Sequence, residues 1–385
     1  MAKGMYIGVD NLARKVKKMY IGVDGVAHKV KKAYIGVNGV ARLFYSRQGV
    51  LSYYGTATSL SVARDDLAAT SVGDYALFAG GYDSSPYSSS HPYYSTVDAY
   101  NTSLTRTTAT SLSQATASCG ATSIGNYALI AGGYTGKDYI NVVDVYNSSL
   151  TKTTATSLSD NRCSIAATSV GDYALFAGGY RTSHHSNVVD AYNTSLTRTT
   201  ATSLSESKHL IAATSVGDYA LFAGGYYNPS GTYYSTVDAY NSSLTRTTAT
   251  SLSQAKSRCG ATSIGNYALI AGGNYGNNKH SNVVDVYNTS LTKTTATSLS
   301  ESRDNIGAAS IDDYALFGGG SISTFSPGSP AVDIYDLSLT RTIGTDLSEG
   351  RKLKATTVGN YVLFGGEWDG SNLVCSSTVD VYQVK

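Results

Sequence analysis

The sequence predicts an all-β protein, a seven-bladed β-propeller preceded by a segment of β-hairpin repeats, and three observations carry that expectation. A unit of about 47 residues fills the chain from about residue 49, anchored by YALFAGG-type strings that begin at Tyr75, Tyr127, Tyr173, Tyr219, Tyr267, Tyr314 and Tyr361. A period of this size marks propellers and other repeat architectures. A V-D-x-Y string recurs in step with it, placing Asp98, Asp144, Asp190, Asp238, Asp285, Asp333 and Asp380. Charged residues make up only 15% of the chain while Thr, Ser, Gly and 32 Tyr dominate, a composition suited to strands joined by tight turns.

Residues 1–48 form a repeat of their own. Three 14-residue copies begin at Tyr6, Tyr20 and Tyr34, and the Asp24-Gly25 and Asn38-Gly39 dipeptides predict type I′ hairpin turns. Pairing Val23 with Val26 puts Ile21, Val23, Val26 and Val30 on one face, with Tyr20 and Lys29 on the other. An isolated hairpin is marginal in water, so the apolar positions Ile7, Val9, Ile21, Val23, Ile35 and Val37 are assigned to attachment or oligomerisation, on the propeller or on another chain. A homo-oligomer is expected, a trimer being favoured by analogy with viral fibres. The segment holds ten Lys/Arg against two Asp/Glu, a net of +8, so in a chain of +2 the remainder carries −6. A nucleic-acid arm is disfavoured, because the basic residues fall regularly along hairpin arms and match no fold for reading bases.

Residues 49–385 are expected to fold as the propeller, each unit giving four strands. In the third unit a small-residue strand (165 to 170) meets a Gly-Asp turn, and an apolar strand (173 to 177) ends in Gly178 and Gly179. The V-D-x-Y strand (188 to 192) then passes through an Asn-Thr-Ser turn into a Thr-rich strand (196 to 202). After Tyr382 three residues remain, too few for a last fourth strand, while SYYGTATSL at 52 to 60 matches the ends of the other fourth strands. This early strand is expected to complete the last blade and close the ring, leaving only short edges.

The Gly-Gly after an apolar strand and the Val/Asp/Tyr strand that follows resemble the kelch-repeat superfamily over roughly residues 49–385. The chain departs from the kelch pattern in having a single Trp, Trp368, in a loop; Thr, Ser and Leu stand where the outer-strand Trp is expected. The copies KGMYIGVDNLARKVK, KMYIGVDGVAHKVK and KAYIGVNGVARLFY resemble short YIGVNGVARKVK-type repeats of proteins encoded by phages and prophages of Gram-positive gut bacteria, where such repeats precede diverse outer domains. That resemblance implies a virion-associated protein whose first 48 residues engage other virion proteins.

Several classes are disfavoured. No run of 18 apolar residues and no apolar core of a signal peptide occur, so synthesis in the cytoplasm without signal peptide or membrane span is expected. Cys119, Cys163, Cys259 and Cys375 show no CxxC spacing; Cys119 and Cys259 occupy the same place in two units, which reads as small buried side chains rather than disulfides or a zinc site. No G-x-S-x-G, phosphate loop or HExxH string is present, and His91, His184, His185, His209 and His280 lie in loops of different blades. No enzyme, cofactor or metal is therefore expected. The Asn-x-Ser motifs at Asn101, Asn147, Asn193, Asn241 and Asn288 match the glycosylation acceptor but always fall at one turn, where Asn and Ser belong for turn geometry.

Function is sought where the seven copies differ. Turns after strands one and three hardly vary, whereas connections after strands two and four vary in length and chemistry, so all variation is expected on one face. Blades one and four, and two and five, share long identical strings, as if a three-blade block had been duplicated while the loops diverged. Tyr87, Tyr93, Tyr94, Tyr134, Tyr139, Tyr226, Tyr233, Tyr234 and Tyr275 lie in the variable connections among Ser, Gly and Asn, the composition of combining sites that use rigid amphipathic rings. Arg181, His184, Arg258 and Trp368 join them as candidate ligand-binding residues. The recurring series Arg64, Arg162, Lys208, Lys256, Arg303 and Arg351 either rings the channel mouth, attracting an anionic sugar or carboxylate, or pairs with loop acids such as Asp65, Glu206 and Glu301. The expected function is non-enzymatic binding of a cell-surface glycan or protein. An intracellular kelch-type scaffold and a sugar-processing propeller enzyme are the alternatives.

Overall fold

The computed structural model describes residues 6–385 apart from 10–11, 16–19, 24–25, 30–31, 38–39, 47–48, 86–87, 89, 183, 323–327 and 370–373, and of the strands between 6 and 46 only the backbone. The chain divides into two compact units, Met1–Val50 and Leu51–Lys385.

The first unit contains three hairpins, Tyr6–Val9 with Leu12–Lys15, Tyr20–Val23 with Val26–Lys29, and Lys32–Val37 with Val40–Ser46. Their registers repeat, with Val9 opposite Leu12, Val23 opposite Val26 and Val37 opposite Val40. The Asp24-Gly25 and Asn38-Gly39 turns lie outside the described residues, as do the side chains of Ile7, Val9, Ile21, Val23, Ile35 and Val37.

The second unit is a seven-bladed β-propeller of seven four-stranded antiparallel sheets. In blade three the strands are Ala166–Val170, Tyr173–Ala177, Val189–Asn193 and Arg198–Thr200, in that spatial order. The fourth strands are shorter than the sequence pattern suggests. Each blade's first strand contacts the first strands of both neighbours, from Ala68–Val72 round to Lys354–Val358 and back, so the ring closes about a central channel. Closure uses the expected device: Leu51–Thr56 pairs with Val379–Val384, with Asp380 opposite Thr56 and a register shift at Val381/Tyr382.

The core lies between blades rather than within them. Seven apolar clusters each combine residues of two adjacent blades, for example Leu175, Val189 and Ala191 of blade three with Phe222 and Tyr240 of blade four. The tyrosine of each V-D-x-Y string is buried, and its hydroxyl crosses the interface to a carbonyl after the previous blade's fourth strand: Tyr100 to Thr58 at 2.7 Å, Tyr146 to Thr110 at 2.6 Å, Tyr192 to Thr156 at 2.8 Å. This satisfies a phenol that burial would otherwise penalise.

The conserved-looking turns pack against each other on one side of the ring. Asn101 Oδ1 accepts from the backbone N–H groups of Ser103 and Thr105 at 3.0 and 2.9 Å, and the pattern repeats at Asn147, Asn193, Asn241 and Asn288. The first-to-second turn of each blade sits against this turn of the next. A Cβ on Gly73 would come 2.8 Å from Ser148 Cβ, and one on Gly217 2.9 Å from Thr289 Cγ2, both at positive φ. Asp312 replaces this glycine in blade six. Blade seven builds its fourth strand from Leu51–Thr56 and has no third-to-fourth turn to face it, and Asp adopts the φ of 49° there more readily than most residues.

Candidate ligand-binding face

The opposite side of the ring carries the variable connections, and two positions organise it. The residue after each Gly-Gly, namely Tyr82, Tyr134, Tyr180, Tyr226 and Asn274, forms a backbone bridge to the connection entering its own blade, at Asp65, Ala117, Cys163, His209 and Ser257. The residue five before each V-D-x-Y aspartate pairs with it across the loop, as Tyr93, Tyr139, His185, Tyr233 and His280. Together the two positions set rings in a crown. Tyr82 stacks on Tyr93 with centroids 5.2 Å apart, Tyr93 meets Tyr134 of the next blade edge-on at 5.9 Å, and Tyr134 meets Tyr139 at 4.9 Å. Tyr139 continues to Tyr180 at 5.7 Å, Tyr180 to His185 and His209 at 5.2 and 5.5 Å, His209 to Tyr226 at 5.8 Å, and Tyr226 to Tyr233 at 4.7 Å. The Tyr233 hydroxyl then donates to Asn274 Oδ1 at 2.9 Å.

The crown is continuously aromatic across blades one to four and mixed in blades five to seven. Its tyrosines are half-buried, and burial raises the phenol pKa values of Tyr82, Tyr93, Tyr139 and Tyr233. Burial also pulls His209 down to about 4 and lowers His185, so both imidazoles are neutral at neutral pH. At these two positions blade six has Ser321 and Gly328, and blade seven has Trp368 and Cys375.

Inside the crown lies the channel mouth, a pocket of about 180 Å³. Asp66, Ser118, Ser164, Leu210, Arg258 and Asn305 line it, each immediately after a residue bridged to the crown. All six adopt positive φ, between 50° and 57°. Backbone hydrogen bonds link them from blade to blade, Ser118 N–H to Asp66 O at 2.9 Å, Ser164 N–H to Ser118 O at 2.8 Å and Asn305 N–H to Arg258 O at 2.9 Å. Six non-glycine residues held in a sparsely populated region mark a rim whose shape is imposed by its surroundings.

One sector of the mouth is charged. Glu367 stands at φ 69°, where six blades have the second glycine of the pair. Its buried carboxyl lies 3.6 Å from Lys354 Nζ and is pushed up to about 7, chiefly by burial and then by Asp65 and Asp66 against the pull of Lys354. Oxygens of Asp65, Asp66 and Glu367 lie within 4.8 Å of one another, and Lys354 supplies the compensating positive charge. On the far side Asp304, raised by burial, faces His280 at 3.7 Å.

No protein-family model matches the chain, and no curated protein does. Among solved structures, one described as "Structure of YjhT" matches at 11% identity with a TM-score of 0.58, covering 75% of this chain and 99% of its own. At that identity the likeness speaks for the propeller fold alone.

The Arg/Lys series corrects an expectation. Arg64, Arg162, Lys208, Lys256, Arg303 and Arg351 have no solvent exposure and do not ring the mouth. Each reaches the V-D-x-Y aspartate of its own blade: Arg162 to Asp190 at 2.7 Å, Lys208 to Asp238 at 3.3 Å, Arg303 to Asp333 at 2.5 Å and Arg351 to Asp380 at 2.9 Å. The same aspartate accepts from a connection serine, as Ser159 N–H does to Asp190 at 3.1 Å, and from a fourth-strand base, as Arg198 does at 2.9 Å. In blade seven the Tyr53 hydroxyl takes the place of that base, 2.7 Å from Asp380. Burial lowers the pKa values of Arg64, Arg162 and Arg303, with the aspartate opposing it. Of the loop acids suggested as partners, Glu206 does meet Lys208, at 3.4 Å.

The other candidates divide. Tyr93, Tyr134, Tyr139, Tyr226 and Tyr233 belong to the crown. Tyr94 and Tyr234 are half-buried beside it, the Tyr234 ring 5.8 Å from Lys208 Nζ. Arg258 is exposed at the mouth. Trp368 is half-buried and accepts the Lys352 N–H at its carbonyl. Arg181 is exposed and pairs with Asp160 at 2.7 Å, His184 is exposed next to it, and Tyr275 is exposed on blade five. Tyr87 lies outside the described residues. Sequence reasoning passed over Tyr82, Tyr180 and Glu367 as ligand-binding candidates and weighed His185 and His209 only as metal ligands, although fixed offsets from Gly-Gly and from the strand aspartate single out Tyr82, Tyr180 and His185. The cysteines are free thiols; burial pushes Cys119 up to about 12 and Cys163 and Cys259 up to about 11, so they are not poised as nucleophiles.

Proposed function

We propose that the protein is a non-enzymatic binding protein carried on a phage or prophage virion, as a fibre, tail or capsid decoration, whose kelch-like propeller presents its loop face to a cell-surface glycan or protein. The observation that carries the reading is a coincidence of sequence and structure: the connections that differ between otherwise near-identical blades are those that build the aromatic crown and the channel mouth. Loops that merely tolerate change would not assemble nine rings into one contact network. In this reading residues 1–48 attach the propeller to other virion proteins or assemble it into a homo-oligomer, and the protein acts on an extracellular particle. The basic, repeated hairpins and their resemblance to phage repeats support that division of labour. Labelling purified particles with an antibody to residues 51–385, together with binding of the purified chain to candidate host cells, tests it. Signal on the particles and saturable cell binding are expected. A chain absent from particles and held by a cytosolic partner would replace this reading with an intracellular scaffold.

A further inference from the structure

Resting on the loop-face reading, we infer that crown and mouth form a saccharide site that takes the neutral pyranose end of a glycan. A pyranose has an apolar C–H face and a rim of hydroxyls. The site has both complements: the rings stand in the crown, one bridged residue outward from the rim, and the polar groups line the mouth itself. The rings from Tyr134 to Tyr226 are held by their neighbours at 4.9 to 5.8 Å, so little side-chain freedom is lost when a sugar stacks on them. Across the mouth, Asp66, Arg258 and Lys354 are exposed and Asn305 is half-exposed. Carboxylate, guanidinium, ammonium and amide are the groups that bracket vicinal hydroxyls by donating to one and accepting from its neighbour. The volume of about 180 Å³ is small beside the pockets of drug-sized ligands and suits one ring at the end of a chain.

Charge argues for a neutral sugar. Arg258, Lys352 and Lys354 stand among Asp65, Asp66, Asp304 and Glu367; burial raises the carboxyl pKa values of Asp65, Asp304 and Glu367, and these neighbouring cations oppose it. The six other basic residues that would have made a positive funnel are spent inside the blades. Among the described residues, the mixed charges at the mouth give no long-range preference for an acidic sugar over a neutral one.

The test is saturation-transfer NMR on the full chain with the methyl glycosides of glucose, galactose, mannose and N-acetylglucosamine, beside glucuronic acid and glucosamine. Transfer to ring C–H protons of at least one neutral glycoside is expected, unchanged between low and high sodium chloride. Tyr134→Ala and Tyr226→Ala should each weaken it by roughly tenfold, while Tyr134→Phe, which keeps the ring, should stay within about threefold of wild type. Circular dichroism and melting check these half-buried positions, and Arg258→Ala, at an exposed side chain, gives an independent loss should an alanine variant unfold. Binding of glucuronic acid alone, weakened by salt, overturns the neutral assignment. Host-cell binding that disappears on protease treatment of the cells, with no transfer to any sugar, overturns the saccharide inference and leaves the loop face as a protein-binding surface. Cell binding that survives the crown substitutions overturns the loop-face reading itself.

Discussion

Arg162, itself without exposure to solvent, donates to the carbonyls of Gly178 and Val188 at 2.8 Å and of Phe176 at 3.2 Å before it reaches Asp190. A cation so placed cannot be removed cheaply, because its aspartate stays behind in the blade. Arg162→Ala is expected to destabilise the propeller by about 3–5 kcal/mol. Arg181→Ala, which breaks the exposed pair with Asp160, should change stability by less than about 1 kcal/mol; chemical denaturation of the two variants reads the contrast directly. Glu367 makes a pH prediction. Its folded pKa of about 7 exceeds the ordinary 4.5, so the folded chain holds the proton where the unfolded one releases it. Stability contributed by the protonated carboxyl is therefore present below pH 4.5 and lost as pH rises towards 7. Glu367→Gln should flatten that fall, gaining at most about 3 kcal/mol at pH 8 over wild type, unless loss of the Lys354 contact cancels it; a set of melting curves from pH 4 to 8 decides.

At the scale of strands and turns, the two faces of a blade respond to different demands. On the face of repeated turns, Asn101→Ala and Asn241→Ala each leave two backbone N–H groups without their acceptor, which should cost about 1–2 kcal/mol of stability and leave cell binding unaltered. On the loop face, replacing Tyr93, Tyr94, Tyr233 and Tyr234 together by Ala should weaken cell binding by at least about 1–2 kcal/mol, read as a shift of the half-saturation point. The strands were legible in the sequence because Gly-Gly, the Gly-Asp turns and V-D-x-Y act locally, each within a few residues. The fate of Arg162 was less so. Its partner Asp190 lies 28 residues further along, and only the fold brings the two together; yet the series recurs in the same copies as the aspartate, which is how framework behaves. Tyr82 and Tyr180 open variable connections just after a Gly-Gly, but nothing local shows that they join the crown, because the rings they meet come from other parts of the chain.

On the scale of the whole ring, each apolar cluster joins two blades, so no blade owns its core, and the cluster joining blade seven to blade one is complete only when the circle closes. Deleting residues 1–60 removes the strand paired with Val379–Val384 and should expose Asp380 to Gln383 as an unpaired edge that promotes aggregation. Deleting 1–44 should leave the ring soluble with its melting point intact; equal behaviour of the two truncations would deny this closure a role in stability. Light scattering on the full chain and on residues 49–385 tests assembly, an oligomer being expected only for the first. The seam also writes itself into the turns. Gly73, Gly125, Gly171, Gly217, Gly265 and Gly359 each lie against a side chain of the following blade's third-to-fourth turn, and Asp312 stands where that turn is missing. A circular permutant opened between Asn193 and Arg198 instead would acquire a continuous turn opposite residue 312, which should make Asp312→Gly favourable there, and would remove the turn that faces Gly125. Where a propeller of this kind was cut is thus recoverable from which blade can do without its glycine.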